Sequence, residues 1–399
     1  MNMNIGFIST WFERGAAYVT KQYSELLSEA GHNIYIYARG EKFAKGDPKW
    51  DKPEVTWGKK LYDTNLNVSH VSKWIKCNNL DCIFFNEQRD IKSVIKLKMK
   101  FPDIKLGTYI DYYTQNTVKD FKFYDFLICN TKRHYSVFSK YKQCYYIPWG
   151  TDINLYTPNK CKEHDKIRFF HSAGMSNRKG TGVLIDAFIE GELYNDSELI
   201  IHTQLPLKDL CNCQYDNLEK FNIQIIEKTV SAPGLYYMGD IYVYPTTLDG
   251  LGLTMYEALA SGMPVITTNC APMNEVINEN VGRLIEVDDF KCRWDAYYWP
   301  LAFVNKESLI ESMKYYVENK EALNKFKIDA RQAAIEHWNW KSRKEEVSNV
   351  FTNSKVNKIS DIELSNELKN YQKQERKIFF KTLLPFIPNS LQEFIFRNR

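Results

Sequence analysis

The chain has no run approaching the ~20 apolar residues that a membrane-spanning helix needs. Its start, Met1-Asn2-Met3-Asn4-Ile5-Gly6-Phe7-Ile8, has no basic stretch ahead of a long apolar one, so no secretory signal is expected. The nine cysteines are odd in number, and none forms a Cys-x-x-Cys pair. Cys211 and Cys213 stand one residue apart, a poor spacing for a zinc ribbon. They read as reduced thiols of a cytoplasmic protein. Charge of one sign is also scarce: 53 Lys and Arg against 49 Asp and Glu leave +4. That is too little to make nucleic acid the main partner. Gly6 opens no Gly-x-Gly-x-x-Gly run, which argues against a dinucleotide-dependent dehydrogenase.

Core material is present in quantity. Of the 399 residues, 44% are hydrophobic and 26% charged, ordinary values for a globular protein. The length favours two domains or more. The 26 tyrosines and 23 phenylalanines are spread along the chain, as core and interface residues are.

The order of elements is that of an α/β protein. Ile5–Ser9 suits a buried parallel strand. A loop with Gly15 comes next, then an amphipathic helix over Tyr18–Ala30 closed by Gly31, then a strand over Ile34–Ala38. This opening is that of a doubly wound domain. Further strands are expected at Cys82–Asn86, Lys105–Ile110, Phe126–Cys129 and Tyr145–Ile147. A second series begins after Pro158-Asn159-Lys160. It has strands at Ile167–Ala173, Leu199–Thr203, Ile223–Ile226, Ile241–Tyr244 and Val265–Thr268, with a helix over Gly180–Ile189. Lys306–His337 reads as helical, with Trp338-Asn339-Trp340 anchoring its end. The expected division is a first Rossmann-like unit over 1–157, a linker at 158–166, a second over 167–340, and a helical crossover and tail over 341–399.

The densest segment is Tyr244-Pro245-Thr246-Thr247-Leu248-Asp249-Gly250-Leu251-Gly252-Leu253-Thr254-Met255-Tyr256-Glu257-Ala258. Strand, glycine turn and helix start succeed one another, with a carboxylate on each side. Glycines let backbone N–H groups approach a phosphate, and a helix N-terminus favours its charge. Carboxylates accept hydrogen bonds from sugar or ribose hydroxyls. A plainer reading stands beside this one. Thr254 and Glu257 have capping-box spacing, and Asp249-Gly250 is a common turn dipeptide.

Several segments in order resemble those of a two-domain glycosyltransferase of the GT-B architecture, in the large group of retaining enzymes called family 4 (glycosyltransferase group 1). Ile147-Pro148-Trp149-Gly150-Thr151-Asp152 resembles the family's segment before the linker. Gly174-Met175-Ser176-Asn177-Arg178-Lys179-Gly180 resembles its phosphate loop. Asp249 to Glu257 resembles its Glu-x7-Glu motif, with Asp in the first place. Ser261-Gly262-Met263-Pro264-Val265-Ile266 and Asn274-Glu275-Val276-Ile277 resemble the stretch after that motif. The likeness runs over about residues 1–350 and is strongest over 167–285. It implies two Rossmann-like domains facing a central cleft, and transfer of a sugar with retained configuration.

The resemblance also implies roles. Arg178 and Lys179 would stabilise charge developing on the leaving diphosphate, with Met175 where relatives often have arginine. Asp249 would face the donor sugar, its shorter side chain marking a departure from the family's Glu. Glu257 would bind the ribose hydroxyls. Gly174, Gly250, Leu251, Gly252, Leu253 and Thr254 would line the donor site, partly through backbone N–H groups. Gly15, in the loop before the first helix, and Asp111 are the acceptor-side candidates, the latter in a stretch where many relatives carry a histidine. His171, inside a strand, reads as a core residue. No Asp-x-Asp triplet occurs, and no essential metal or cofactor is expected. The donor expected is a UDP- or GDP-sugar, with a hexosyl or N-acetylhexosaminyl group. The acceptor expected is a glycan or lipid-linked molecule in surface polysaccharide or glycoconjugate synthesis.

From Lys373 onward the tail has six Lys or Arg and two Glu among apolar residues. It suits either an anionic inner-membrane surface or packing on the first domain or a second subunit. Location is therefore cytoplasmic, with peripheral membrane contact and homo-oligomerisation open. Two other functions remain at this point: a catalytically inactive GT-B subunit that stabilises a partner enzyme, and a sugar-nucleotide epimerase, whose acid/base residues the sequence does not reveal.

Overall fold

A computed structural model of the chain describes residues 2–59, 61, 64–158 and 165–383, with side chains as far as 375. The first half alternates strand and helix: β1 (Asn4–Thr10), α1 (Gly15–Glu29), β2 (Asn33–Arg39), α2 (Glu41–Ala44), β3 (Val55–Trp57), α3 (Val68–Cys77), β4 (Cys82–Phe85), α4 (Ile91–Lys100), β5 (Lys105–Tyr109), β6 (Phe126–Cys129), α5 (Lys132–Phe138) and β7 (Cys144–Tyr146). Among the described residues these strands make a seven-stranded parallel sheet, ordered β3-β2-β1-β4-β5-β6-β7. Its central strands are buried on both faces, which is why Cys82–Phe85 and Phe126–Cys129 read as unbroken apolar runs.

The second half repeats the plan with β8 (Ile167–Gly174), α6 (Thr181–Glu190), β9 (Ser197–Thr203), α7 (Leu207–Leu210), β10 (Ile223–Glu227), β11 (Ile241–Tyr244), α8 (Leu253–Ala260), β12 (Val265–Thr268) and β13 (Gly282–Ile285). Among the described residues these give a six-stranded parallel sheet, ordered β10-β9-β8-β11-β12-β13. In each sheet the strand order reverses once, between β1 and β4 and between β8 and β11. Open α/β sheets bind ligands outside the carboxyl ends of the strands at such reversals.

After β13 the chain returns to the first unit. The antiparallel hairpin β14 (Val287–Lys291) and β15 (Leu301–Val304) carries a loop that crosses to β5. There the Tyr297 hydroxyl donates to the Asp111 carbonyl at 3.0 Å, and the Tyr298 N–H to the Tyr113 carbonyl at 2.9 Å. Beyond α9 (Lys306–Glu318) and α10 (Leu323–His337), Trp340 packs on Trp149 at 4.4 Å and on Tyr23 at 5.0 Å. Then α11 (Lys344–Asn353) inserts Phe351 against Phe84 and Phe126, at 5.0 and 5.1 Å. The last described element, α12 (Asp361–Leu383), lies on α4. Its Leu364 is buried and its Tyr371 hydroxyl donates to Asp120.

Several sequence expectations need correction. Gly15 is the first residue of α1, not part of a preceding loop, and the helix runs Gly15–Glu29 instead of starting at Tyr18. The strand expected at Tyr145–Ile147 is Cys144–Tyr146. Four strands are not legible in the sequence: β3, β13 and the two of the β14–β15 hairpin. Most of the expected linker and the end of the tail, 159–164 and 384–399, lie outside the described residues.

Candidate active site

The carboxyl ends of both sheets face one cleft. Its cavity, of about 200 Å³, is lined by Arg14, Gly15 and Tyr18 from the end of β1 and the start of α1. Gly174, Gln204, Tyr236, Leu253, Thr254 and Glu257 line it from the second unit. A Cβ on Gly15 would meet Leu253 Cδ1 at 3.6 Å, so the starts of α1 and α8 lie against each other. Both helices direct unpaired backbone N–H groups and a positive dipole end towards this region.

The β8–α6 turn shows why its glycines are there. Gly180 has φ +76°, and a Cβ would stand 2.1 Å from the Pro245 carbonyl oxygen. Only glycine lets the basic loop lie flat on the β11–α8 loop. The Arg178 carbonyl completes the join, accepting from the Thr247 N–H at 2.8 Å and the Thr246 hydroxyl at 3.1 Å. Arg178 is half-buried, whereas Met175 is 60% exposed.

Glu257 does not cap its helix. Gly252, with φ +71°, is the N-cap of α8, and no side chain closes a capping box there. Glu257 Oε2 instead accepts from the Tyr236 hydroxyl at 2.5 Å, and the Tyr156 hydroxyl also bonds to it. Burial raises its carboxyl above the ordinary range, and these two hydroxyls and Lys179 oppose the rise. Its carboxylate thus looks into the cleft, beside Thr254 and Gly174.

Asp249 behaves differently. Its Oδ1 accepts from the Gly252 N–H at 3.1 Å, and its Oδ2 accepts from both Lys179 Nζ and the Tyr244 hydroxyl. Burial alone would raise this carboxyl, but the Lys179 ammonium and the hydrogen bonds outweigh burial and hold it well below the usual range. Lys179 and Asp249 are therefore one ion pair beside the cavity rather than two independent groups. Gly250 is open, with nothing within 4 Å of a Cβ. Leu251 puts its side chain into the core, so any contact it makes with a ligand falls to its backbone.

On the facing side, Asp111 is half-buried at the end of β5 and does not line that cavity. Burial, with the nearby Glu87 carboxylate, pushes its carboxyl up to about 7. Glu87 in turn pairs with Arg14 at 3.6 Å. His171 is fully buried. Its Nδ1–H donates to the Val243 carbonyl at 2.8 Å, so its Nε2 accepts from the Thr181 hydroxyl at 2.9 Å. Its role is in the core, as its place in a strand suggests.

Sequence reasoning missed the groups that join the two units. Arg133, at the start of α5, donates to the Asp249 carbonyl at 2.6 Å and lies 5.3 Å over the Trp299 ring. Lys49 donates to Glu13 at 2.6 Å and to the Tyr18 hydroxyl at 3.0 Å, and reaches Ser231 of the second unit at 3.4 Å. No local spacing marks such partners, because they meet only through the fold.

Residues 166–294 match the family described as Glycosyl transferases group 1. That span holds β8 to the start of the cross-cleft hairpin loop, and so the basic loop, Asp249 and Glu257. A lipopolysaccharide core biosynthesis mannosyltransferase, LpsB of Rhizobium meliloti (strain 1021), is 34% identical over 77 residues, 18% of this chain and 22% of that protein. A capsular polysaccharide biosynthesis glycosyltransferase, CapM of Staphylococcus aureus, is 31% identical over 150 residues, 36% of this chain and 39% of that protein. The chain therefore matches between about a fifth and two-fifths of the length of these curated relatives. In structure, 88% of the chain superposes on all of Anabaena Alr3699/HepE, solved with UDP and glucose, with a TM-score of 0.67 and 15% identity. The fold is that of GT-B glycosyltransferases. The relatives are glycosyltransferases of polysaccharide and lipopolysaccharide synthesis. Among the described residues no helix is long and apolar enough to cross a membrane.

Proposed function

We propose that the chain is a retaining glycosyltransferase that moves a hexosyl or N-acetylhexosaminyl group from a UDP- or GDP-sugar to a glycan or lipid-linked acceptor in surface polysaccharide or glycoconjugate synthesis. One observation carries the reading. Groups suited to a nucleoside diphosphate sugar meet at the reversal points of both sheets, across one cleft: Glu257 and Gly174 from one side, Arg14 and Gly15 from the other.

Glu257 accepts hydrogen bonds from the ribose hydroxyls, held for that purpose by Tyr236 and Tyr156. The diphosphate lies along the starts of α8 and α1, near Arg178 and Lys179. As the bond from C1 to the phosphate oxygen breaks, charge grows on that oxygen, and the two cations stabilise it more than they stabilise the bound donor. The acceptor oxygen bonds to C1 on the same face, and its proton passes to the leaving phosphate. This chemistry asks for no metal from the protein. Asp111 and Glu87 lie on the acceptor side. Residues 373–399 rest on an anionic membrane surface, where a lipid-linked acceptor would be held.

The test is thermal-shift screening of the full chain against UDP-, GDP- and ADP-sugars, with turnover measured on the donor that binds. A ligand at 100 times its Kd adds ~2.7 kcal/mol to stability, a readable shift. Glu257→Ala and Lys179→Ala should each remove most of it. Absence of any shift, for every nucleotide sugar, would sink the reading.

A further inference from the structure

The family resemblance implies that position 249 faces the donor sugar. Its carboxylate is instead already engaged by three donors: the Gly252 N–H on Oδ1, and Lys179 and the Tyr244 hydroxyl on Oδ2. A carboxylate offers about four acceptor positions, so little is left for a sugar. Tyr244 is the member that neither its place in the motif nor the family match assigns. It ends β11, is fully buried, and stacks on Tyr242 at 5.6 Å with a 22° interplanar angle, so its ring cannot swing. Lys179 Nζ stands on the hydroxyl side of the ring, 4.7 Å from its centroid. Its hydroxyl accepts from Lys179 and donates to Asp249. A cation on one side and an anion on the other polarise the hydroxyl and strengthen both bonds.

We propose that Tyr244 is a positioning residue that sets where Lys179 stands, and that Tyr244 is the reason position 249 holds aspartate. The hydroxyl fills the space that a longer side chain at 249 would need. Glutamate would carry its carboxylate about 1.5 Å further out, one C–C bond, into the Tyr244 oxygen. It would then have to displace Lys179 or abandon the Gly252 N–H. Removing the hydroxyl would reopen that space. The two residues are thus one device, and their substitutions should not be independent.

This inference rests on the diphosphate role given to Lys179 above, and the experiment separates the two. Wild type, Y244F, D249E and the double variant Y244F/D249E are compared in the full chain. Calorimetry measures the Kd for UDP, GDP and inorganic pyrophosphate, and urea unfolding measures stability without ligand. Tyr244→Phe is expected to weaken diphosphate binding ~3-fold and Asp249→Glu ~10-fold or more, a charge-assisted hydrogen bond being at stake. The double variant should recover to within ~3-fold of wild type. A loss in the double variant equal to the product of the single losses would overturn the proposal. A residue with a merely structural role would give losses without that recovery. If wild type binds none of these ligands, the donor-site reading fails, and the unfolding cycle then decides alone. Recovery of stability in the double variant supports the Tyr244–Asp249 device, and additivity removes it.

Discussion

The carboxylate of Glu275, in the second unit, accepts from the Arg133 backbone N–H at 2.7 Å and from the Lys132 N–H at 2.6 Å, in the first. It supplies the start of α5 with acceptors that a helix N-terminus lacks. Arg133 returns the connection through its guanidinium, on the carbonyls of Asp249 and Ala271. Glu275→Ala would strand two N–H groups and loosen the side of the cleft that holds Asp249. A loss of ~1–3 kcal/mol is expected, since both bonds are charge-assisted and the one from Arg133 is half-buried. The measurements are a lower melting temperature and a larger radius of gyration in solution scattering. A variant that melts and scatters like wild type would show that this contact does not hold the units together.

Asp111 should make stability depend on pH in a particular direction. Its native carboxyl is raised from 3.8 to about 7, chiefly by burial and then by Glu87. The native state therefore keeps a proton that the unfolded chain has released between about pH 4 and pH 7. The group's contribution is fully present below the unfolded value and is lost as pH rises through the native one. Asp111→Asn, which never ionises, should lose less stability than wild type over that interval. Urea unfolding midpoints at steps from about pH 4.5 to 7.5 test this by the difference between the two proteins. Parallel curves would mean that Asp111 titrates near its ordinary value.

Much of this architecture could be read from residue order because central parallel strands are buried on both faces. Ile241–Tyr244 and Val265–Thr268 are uninterrupted runs bounded by glycine or proline nearby, and the structure has both strands with those limits. The elements that sequence reading missed lack that signature. Val55–Trp57 is a three-residue edge strand, only half-buried, and Val287–Lys291 is mostly exposed. The candidate site divides in the same way. Spacing between Thr254 and Glu257 allowed both a capped helix and a ligand site, and the left-handed Gly252 decides between them. The Tyr236 and Tyr156 hydroxyls on Glu257, and the Arg133 guanidinium on the Asp249 carbonyl, are brought there by the fold. Sequence spacing carries no trace of such meetings.

Two glycines near the site should respond unequally to alanine. At Gly180 the backbone is left-handed, φ +76°, and the Cβ would stand 2.1 Å from the Pro245 carbonyl oxygen. Backbone cannot yield as a flexible side chain does, so Gly180→Ala should cost at least about 2 kcal/mol. The displaced loop also carries Lys179, so affinity for a nucleoside diphosphate should fall. At Gly250 nothing lies within 4 Å of a Cβ, and φ is not positive. Gly250→Ala should stay within about 0.5 kcal/mol of wild type. Equal destabilisation of the two variants would refute this account of the loop.

The tail can be divided at a defined point. Up to residue 375 it packs on the first unit. Leu364 is 2% exposed, Lys122 bonds to Glu367 at 2.8 Å, and Lys92 pairs with Glu375. A chain ending at residue 358 loses this cover. Burying a leucine side chain is worth about 1.5–3 kcal/mol, so the melting temperature should drop by several degrees. A chain ending at 375 keeps those contacts and should melt like the full chain. Of the tail's six basic residues it retains Lys373 and lacks Arg376, Lys377, Lys381, Arg397 and Arg399. Flotation with vesicles containing anionic lipid should therefore fail for the chain ending at 375 while its fold and its nucleotide binding persist. If the full chain and the shortened one float equally, residues 376–399 do not hold the protein at a lipid surface, and any membrane contact has to be sought on the units themselves.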